Sequence, residues 1–343
     1  MAGNGEGQLE EARERTGIAR PARTAAPLDP ELAACLRRAP ALLSSIGREH
    51  IGMLRAGAAR LGPSDAVLAG DGRRTIDIRR VPVAGGEIEA LLLRPAHATA
   101  PLPGIVFLHG GGMIAGDARS GLDAVLDWVD TLGIGLVSVD YRLAPEHPHP
   151  VPVEDCLAAL RWIDAGRAGL GLDDAPLLLA GASAGGGLAA GAALLARERG
   201  GPALAGLMLM APMLDDAERF ASSVAYDGDV PWDRASNRTG WSALLGAAVG
   251  GPDVPDCAAP IRAHDLSGLP PTFLDVGGVE TFRDETIAFA ARLAQADVPI
   301  ELHVWAGAFH GFDVIARDSA LAATARATRL AWLRRRLAER GGR

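Results

Sequence analysis

The 343-residue chain contains no lysine, so all 34 of its basic side chains are arginine. Against 42 acidic residues this leaves a formal net charge of −8, which argues against a general nucleic-acid-binding surface. The missing lysine accompanies abundant Ala, Gly and Pro and reads as a compositional bias without functional meaning. Cysteine is also scarce. Cys35, Cys156 and Cys257 lie far apart, with no Cys-x-x-Cys or Cys/His cluster, so no metal site is expected. An odd, sparse set of this kind suits a reducing compartment. The opening residues are polar and lack the apolar core of a secretion signal, which makes export by that route unexpected and a cytoplasmic location the expectation. One uncharged run, residues 177–196, approaches the length of a membrane span. Its five glycines, three of them consecutive, and its central Ser183 argue instead for a buried strand, a turn and a buried helix.

Hydrophobic residues make up 48% of the chain, enough for a sizeable core. Residues 1–26 are polar, charged and punctuated by Gly and Pro, a composition that predicts disorder. From Leu28 to Leu61 the pattern is helical, and Asp29-Pro30-Glu31 is a good helix start. These helices, within residues 27–70, precede any strand and are placed as part of a cap. From residue 71 to 343 a single catalytic domain is expected. A hairpin over 76–83 and 87–93 turns at Ala84-Gly85-Gly86. Strands then follow at 104–108, 134–139, 177–180, 205–210, 272–276 and 300–305. Helices alternate with them near 121–131, 152–165, 184–199, 281–296 and 319–340. That order predicts an α/β fold, a mostly parallel sheet covered by helices on both faces. Between 211 and 262 the alternation fails, and Phe220, Tyr226, Trp232 and Trp241 stand among Pro, Gly and Asp. This stretch reads as an insertion above the strand ends, where such sheets bind ligands.

Gly181-Ala182-Ser183-Ala184-Gly185 fits G-x-S-x-G, after an apolar strand and before an apolar helix. The geometry demands it: the Ser backbone is strained to lift its Oγ above the sheet, and the residues two away must be small where strand and helix nearly touch. His109-Gly110-Gly111-Gly112 directly follows the strand at 104–108. Consecutive glycines allow backbone N–H groups to approach a negatively charged oxygen. The expected donors are Gly111, Gly112 and Ala184, with His109 holding the loop. A phosphate-binding reading of the glycines fails for want of a following Gly-Lys-Ser/Thr. In the chain order Ser, acid, His, the base is His310, in Ala308-Phe309-His310-Gly311-Phe312 after the last strand. His303 is its rival but sits within the strand. Glu280, at a loop-to-helix junction, is the expected acid, with Asp275 and Asp284 as alternatives.

Together with Asp140-Tyr141-Arg142-Leu143-Ala144-Pro145-Glu146 and Phe309-His310-Gly311-Phe312, these motifs make the chain resemble the hormone-sensitive-lipase-like family of α/β-hydrolases, the bacterial family IV esterases. The resemblance spans about residues 75–340. It implies an eight-stranded sheet, a cap built from the N-terminal helices plus the 211–262 insertion, and cleavage of short and medium acyl esters without a cofactor. It also implies that Tyr141, Arg142 and Glu146 support the oxyanion loop, whereas His147 and His149 are loop residues. Three positions depart from the family pattern. Ala182 replaces the usual Asp before the nucleophile, Glu280 replaces the commoner Asp acid, and Met113 stands where a bulky aromatic often follows the glycines, a change expected to reshape the acyl pocket. By family analogy a homodimer forms through the edge of the strand at 300–305.

The mechanism so implied is acyl transfer from a small-molecule ester to Ser183, then to water. Two other readings use the same residues differently. An acyltransferase, lactonase or cyclising enzyme shares the acyl-enzyme but not its fate. A ligand receptor on the same fold lacks a working His, whereas this sequence has Ser, His, acid and a full glycine loop.

Overall fold

The computed structural model describes residues 27–39, 42 and 45–340, so the disorder expected for 1–26 lies outside the described residues. Eight strands form one sheet: β1 (Arg74–Val83), β2 (Gly86–Pro95), β3 (Gly104–Leu108), β4 (Gly135–Asp140), β5 (Leu177–Ala182), β6 (Leu204–Met210), β7 (Thr272–Gly277) and β8 (Ile300–Trp305). Their spatial order is β1-β2-β4-β3-β5-β6-β7-β8. β1 and β2 pair antiparallel, as do β2 and β4, and every later pairing is parallel. The helices are α1 (Pro30–Arg38), α2 (Ile51–Leu61), α3 (Asp65–Ala69), α4 (Leu126–Leu132), α5 (Val151–Ala165), α6 (Arg167–Leu170), α7 (Ala184–Glu198), α8 (Arg234–Leu245), α9 (Arg283–Gln295), α10 (Phe312–Ile315) and α11 (Ala320–Arg340).

The strands β3, β5 and β6 are apolar without a break because both faces are covered. Side-chain alternation divides them between two cores. Val106, Leu108, Leu179, Leu207 and Leu209 pack with Leu157 and Leu160 of α5, Leu188 of α7 and Phe289 of α9. Ile105, Phe107, Leu178, Met208 and Met210 point the other way, toward Trp128 of α4 and Trp332 and Leu333 of α11. A third cluster joins Leu32 and Leu36 of α1 to Phe309 and Phe312, on either side of His310. The uncharged run at 177–196 is β5, a turn and the first part of α7, and among the described residues no helix is long and apolar enough to cross a membrane.

One expected helix is interrupted. The segment expected as a helix at 121–131 is a 3₁₀ turn, Leu122–Ala124, followed by α4, because Val125 has a non-helical backbone and Gly133 ends α4 in the left-handed conformation. The helices expected from Leu28 to Leu61 include, among the described residues, α1 and α2, the latter entered through a 3₁₀ turn at Arg48–His50. α1 starts where expected, with Asp29 Oδ1 accepting from the Glu31 and Leu32 amides at 2.8 and 3.3 Å, but stops at Arg38.

Arg329 of α11, 3% exposed, reaches between β7 and the His310 segment. Its Nε donates to Asp275 Oδ2 at 2.7 Å and its Nη1 to Asp313. Replacing it by Met leaves two buried carboxylates without their counter-ion, which should cost about 3–5 kcal/mol. Urea unfolding of Arg329→Met measures this; a loss under about 1 kcal/mol means the carboxylates find other partners or simply protonate.

Candidate active site

β5 ends at Ala182 and α7 begins at Ala184, which leaves Ser183 alone to reverse the chain. Its φ of 56° and ψ of −120° are strained for a residue with a side chain. The strain persists because its surroundings fix it. The Ser183 amide donates to Met210 O at 2.8 Å, and its carbonyl accepts from Gly186, Gly187 and Met213 at 2.9–3.1 Å. The flanking glycines are required by contact: a Cβ on Gly181 would lie 2.1 Å from Gly185 O, and one on Gly185 would lie 2.1 Å from Leu108 O.

His310 meets this serine from the loop after β8, its Nε2 2.9 Å from Ser183 Oγ. Its Nδ1 is 2.8 Å from Glu280 Oε1. The other carboxylate oxygen of Glu280, a fully buried residue, accepts from the Gly277 amide at 2.8 Å. Two backbone bonds fasten the Glu280 loop to the His310 loop, Val279 N to Ala308 O and Gly278 N to Trp305 O, each 2.8 Å. The ring of Phe282 stands edge-on to the imidazole, 5.0 Å between centroids. The structure thus brings Ser183, His310 and Glu280 together. It draws the rivals elsewhere: Asp275 accepts from Arg329 and Trp305, and Asp284 accepts from the Ser222 amide and Arg283. His303 stacks on Trp305 and pairs with Glu301.

The glycine loop lies beside Ser183. His109 O accepts from Tyr141 Oη at 2.7 Å, Gly110 O from His109 Nδ1 at 2.8 Å, and Gly111 O from the Ile114 and Ala115 amides at 3.1 and 3.0 Å. Each carbonyl is engaged on one side of the loop, so in a trans peptide the following amide points to the other. The amides of Gly111, Gly112 and Ala184 make no hydrogen bond among the described residues. His109 stacks flat on Tyr141, 4.2 Å between centroids. Burial pushes the His109 imidazole down to about 4, so it is neutral near pH 7. Arg142 grips buried Asp155 through Nε and Nη2 at 2.8 and 2.6 Å and also donates to Ala84 O. This ties the segment after β4 to α5 and the β1–β2 turn.

Glu146 pairs with a residue that the motifs did not single out, Arg55 of α2. Arg55 donates through Nη1 and Nη2 to the two carboxylate oxygens at 2.9 and 2.7 Å, and holds the Glu146 carboxyl down to about 2. Only its place in an amphipathic helix marked Arg55, and nothing local ties residue 55 to residue 146. His147 and His149 stay outside the site. Met113 is fully buried in the core and absent from the cavity lining, so no side chain at position 113 enters the pocket. Trp232 of the insertion occupies that place instead, so close to the glycines that a Cβ on Gly112 would lie 2.0 Å from its ring.

Above Ser183 lies a cavity of about 450 Å³. Ile46, Leu54 and Ala58 line it from the N-terminal segment, Pro231 and Trp232 from the insertion, and Phe107, Val125 and Met210 from the main domain. Ala182 also lines it, leaving open the space a larger side chain would fill.

The chain belongs to the α/β-hydrolase fold family, whose match covers residues 105–314. Within that family its likeness is to esterases of the hormone-sensitive-lipase type. The carboxylesterase NlhH of Mycobacterium tuberculosis is 38% identical over 246 residues, 69% of this chain and 74% of that protein. Among solved structures, a bacterial heroin esterase superimposes with a TM-score of 0.83 at 37% identity, over 90% of this chain and 98% of that one. The esterase LipW of Mycobacterium marinum gives 0.79 at 29% identity, over 91% and 98%.

His109 also sets a pH dependence. Its folded value of about 4 lies below the ordinary 6.5, so the unfolded chain binds the proton more readily. The stability this group supports is therefore present above pH 6.5 and lost as pH falls toward 4, by up to about 3 kcal/mol. Asp140, raised to about 6 by burial, works in the opposite sense. Urea midpoints of the wild type and His109→Gln between pH 7.5 and 4.5 separate the two, and the variant should lose less stability on acidification. Parallel curves would show that His109 does not titrate in this way.

Proposed function

We propose that this carboxylic ester hydrolase is a serine carboxylesterase acting through an acyl-enzyme on Ser183. The observation that carries the reading is the unbroken hydrogen-bonded line Ser183–His310–Glu280, beside three unengaged amides. Ser183 Oγ attacks the ester carbonyl carbon while its proton passes to His310 Nε2. The carbonyl oxygen, now negative, is stabilised by the Gly111, Gly112 and Ala184 amides. The C–O bond to the alcohol breaks, and the leaving oxygen takes the proton from His310. Water then gives a proton to His310 and attacks the acyl carbon; the bond from that carbon to Ser183 Oγ breaks, His310 returns the proton to Oγ, and the carboxylic acid leaves. Throughout, Glu280 holds the imidazole by Nδ1 and offsets the positive charge it gains.

The N-terminal segment and the 211–262 insertion act as the cap. A largely apolar cavity of about 450 Å³ suits short to medium acyl chains. Three unpaired cysteines support a reducing, cytoplasmic setting. The outer edge of β8, with Ile300 and Val304 exposed, is where a second copy of the chain would pair. Light scattering should give a dimer mass that falls to the monomer in Val304→Lys; an unchanged mass rules out that edge.

Ser183→Ala should lower kcat on p-nitrophenyl butyrate by roughly 10⁶-fold and abolish labelling by a fluorophosphonate. Glu280→Gln should lower it by about 10³–10⁴-fold with the fold intact. Near wild-type turnover in Ser183→Ala would sink the reading. Ester or amide products from an added alcohol or amine, in place of free acid, would redirect it to acyl transfer.

A further inference from the structure

The oxyanion loop is not held by its own sequence alone. Met113 sits at a φ of 63°, a conformation that residues with side chains seldom adopt, so contacts from outside the turn must maintain it. One such contact comes from the N-terminal helix α2. The Arg55 guanidinium donates through Nε to Ile114 O at 2.7 Å and through Nη2 to Ala144 O at 2.8 Å. It also forms the two bonds to Glu146 described above. The Ala144 amide in turn donates to Met113 O at 2.9 Å. One planar fork therefore joins α2, the turn after the glycines and the segment after β4. The compact head of a lysine has no such fork.

The bonds form a relay of two rigid peptide planes. Arg55 fixes the carbonyl of the Ile114–Ala115 peptide. The N–H of that same peptide donates to Gly111 O at 3.0 Å. Gly111 O belongs to the Gly111–Gly112 peptide, and the opposite side of that plane carries the Gly112 N–H. Turning the first plane thus turns the second. Arg55 is also one residue from Leu54 and one turn from Ala58, both of which line the cavity.

We propose that Arg55 is a positioning residue for oxyanion stabilisation: the seating of α2 over the cavity sets the aim of the Gly112 amide, so covering the substrate and completing the oxyanion site are one event. The proposal rests on the serine-esterase reading. Its chemistry also separates it from a role in stability alone. The Arg55 and Glu146 side chains are 32% and 57% exposed, and ion pairs so open to water contribute little to folding. Their geometry, by contrast, acts on a donor that matters only once the carbonyl oxygen is charged.

The test is steady-state hydrolysis of p-nitrophenyl butyrate by Arg55→Ala and Arg55→Lys, with thermal unfolding of each. In Arg55→Ala kcat should fall about 10–100-fold with KM within about threefold of wild type. Affinity for an alkyl trifluoromethyl ketone, which adds to Ser183 as a tetrahedral oxyanion, should fall in parallel with kcat/KM. Arg55→Lys should lie between Arg55→Ala and wild type. Methylguanidinium should restore part of the lost kcat, whereas sodium chloride at equal ionic strength should not. A kcat within about twofold of wild type, a loss confined to KM, or a loss that matches the unfolded fraction would each overturn the proposal. If Arg55→Ala does not fold, Arg55→Lys decides, since an unchanged kcat there is equally fatal. Ser183→Ala keeps the two claims apart: its activity bears on the esterase reading, and a normal kcat in Arg55→Ala beside an inactive Ser183→Ala removes only the coupling.

Discussion

The site depends on how closely two pieces of backbone approach at the end of β5. Gly181 and Gly185 nearly touch, and Gly185 in turn lies against the carbonyl of Leu108 at the end of β3. That contact lets one strained serine link strand to helix, and it also brings the glycine loop after β3 alongside Ser183. Ser183 and the amides of Gly111 and Gly112 are thus placed by the same packing event. Glycine is a poor helix former, yet α7 opens with three in succession. Close approach overrides propensity there, since a Cβ on Gly187 would lie 2.1 Å from Met213 O.

A second constraint holds Glu280 and His310 together. Glu280 and His310 come from different strand ends, but backbone bonds between their loops make them one body. The Gly277 amide fixes one oxygen of Glu280 and the imidazole meets the other. α1 then packs its leucines on the phenylalanines that flank His310. The N-terminal segment therefore bears on the His310 segment through α1 and on the turn after the glycines through α2.

Much of this was legible in the sequence because the relevant signals are local. A G-x-S-x-G turn between an apolar strand and an apolar helix, or three glycines after a strand, is readable within a few residues, and Ser183, Gly111, Gly112 and Ala184 lie where those patterns put them. His310 and Glu280 followed from chain order, and geometry then separated them from His303, Asp275 and Asp284. The contributions that stayed hidden are long-range. Arg55 meets Glu146 across 91 residues, and Arg329 meets Asp275 across 54. Trp232 takes the place over the glycines from an insertion with no periodic pattern. Met113 stands where a bulky aromatic often follows the glycines, and its burial in the core at a positive φ is set by contacts that the local motif does not display. The helix expected at 121–131 failed for a similar reason, since a single non-helical residue, Val125, breaks a continuous amphipathic pattern.

The buried pairing of Arg329 with Asp275 and Asp313 has a consequence for how the protein is made. β7 and the His310 segment leave the ribosome before α11, carrying two carboxylates destined for the interior and no counter-ion to meet them. Until Arg329 docks, those two carboxylates stay hydrated or protonated, and β7 and the His310 segment lack the cation that ties both to α11. The chain can therefore assemble most of its sheet and the turn at Ser183 before α11 seats, and the docking of that helix neutralises the two carboxylates and closes the interior around them.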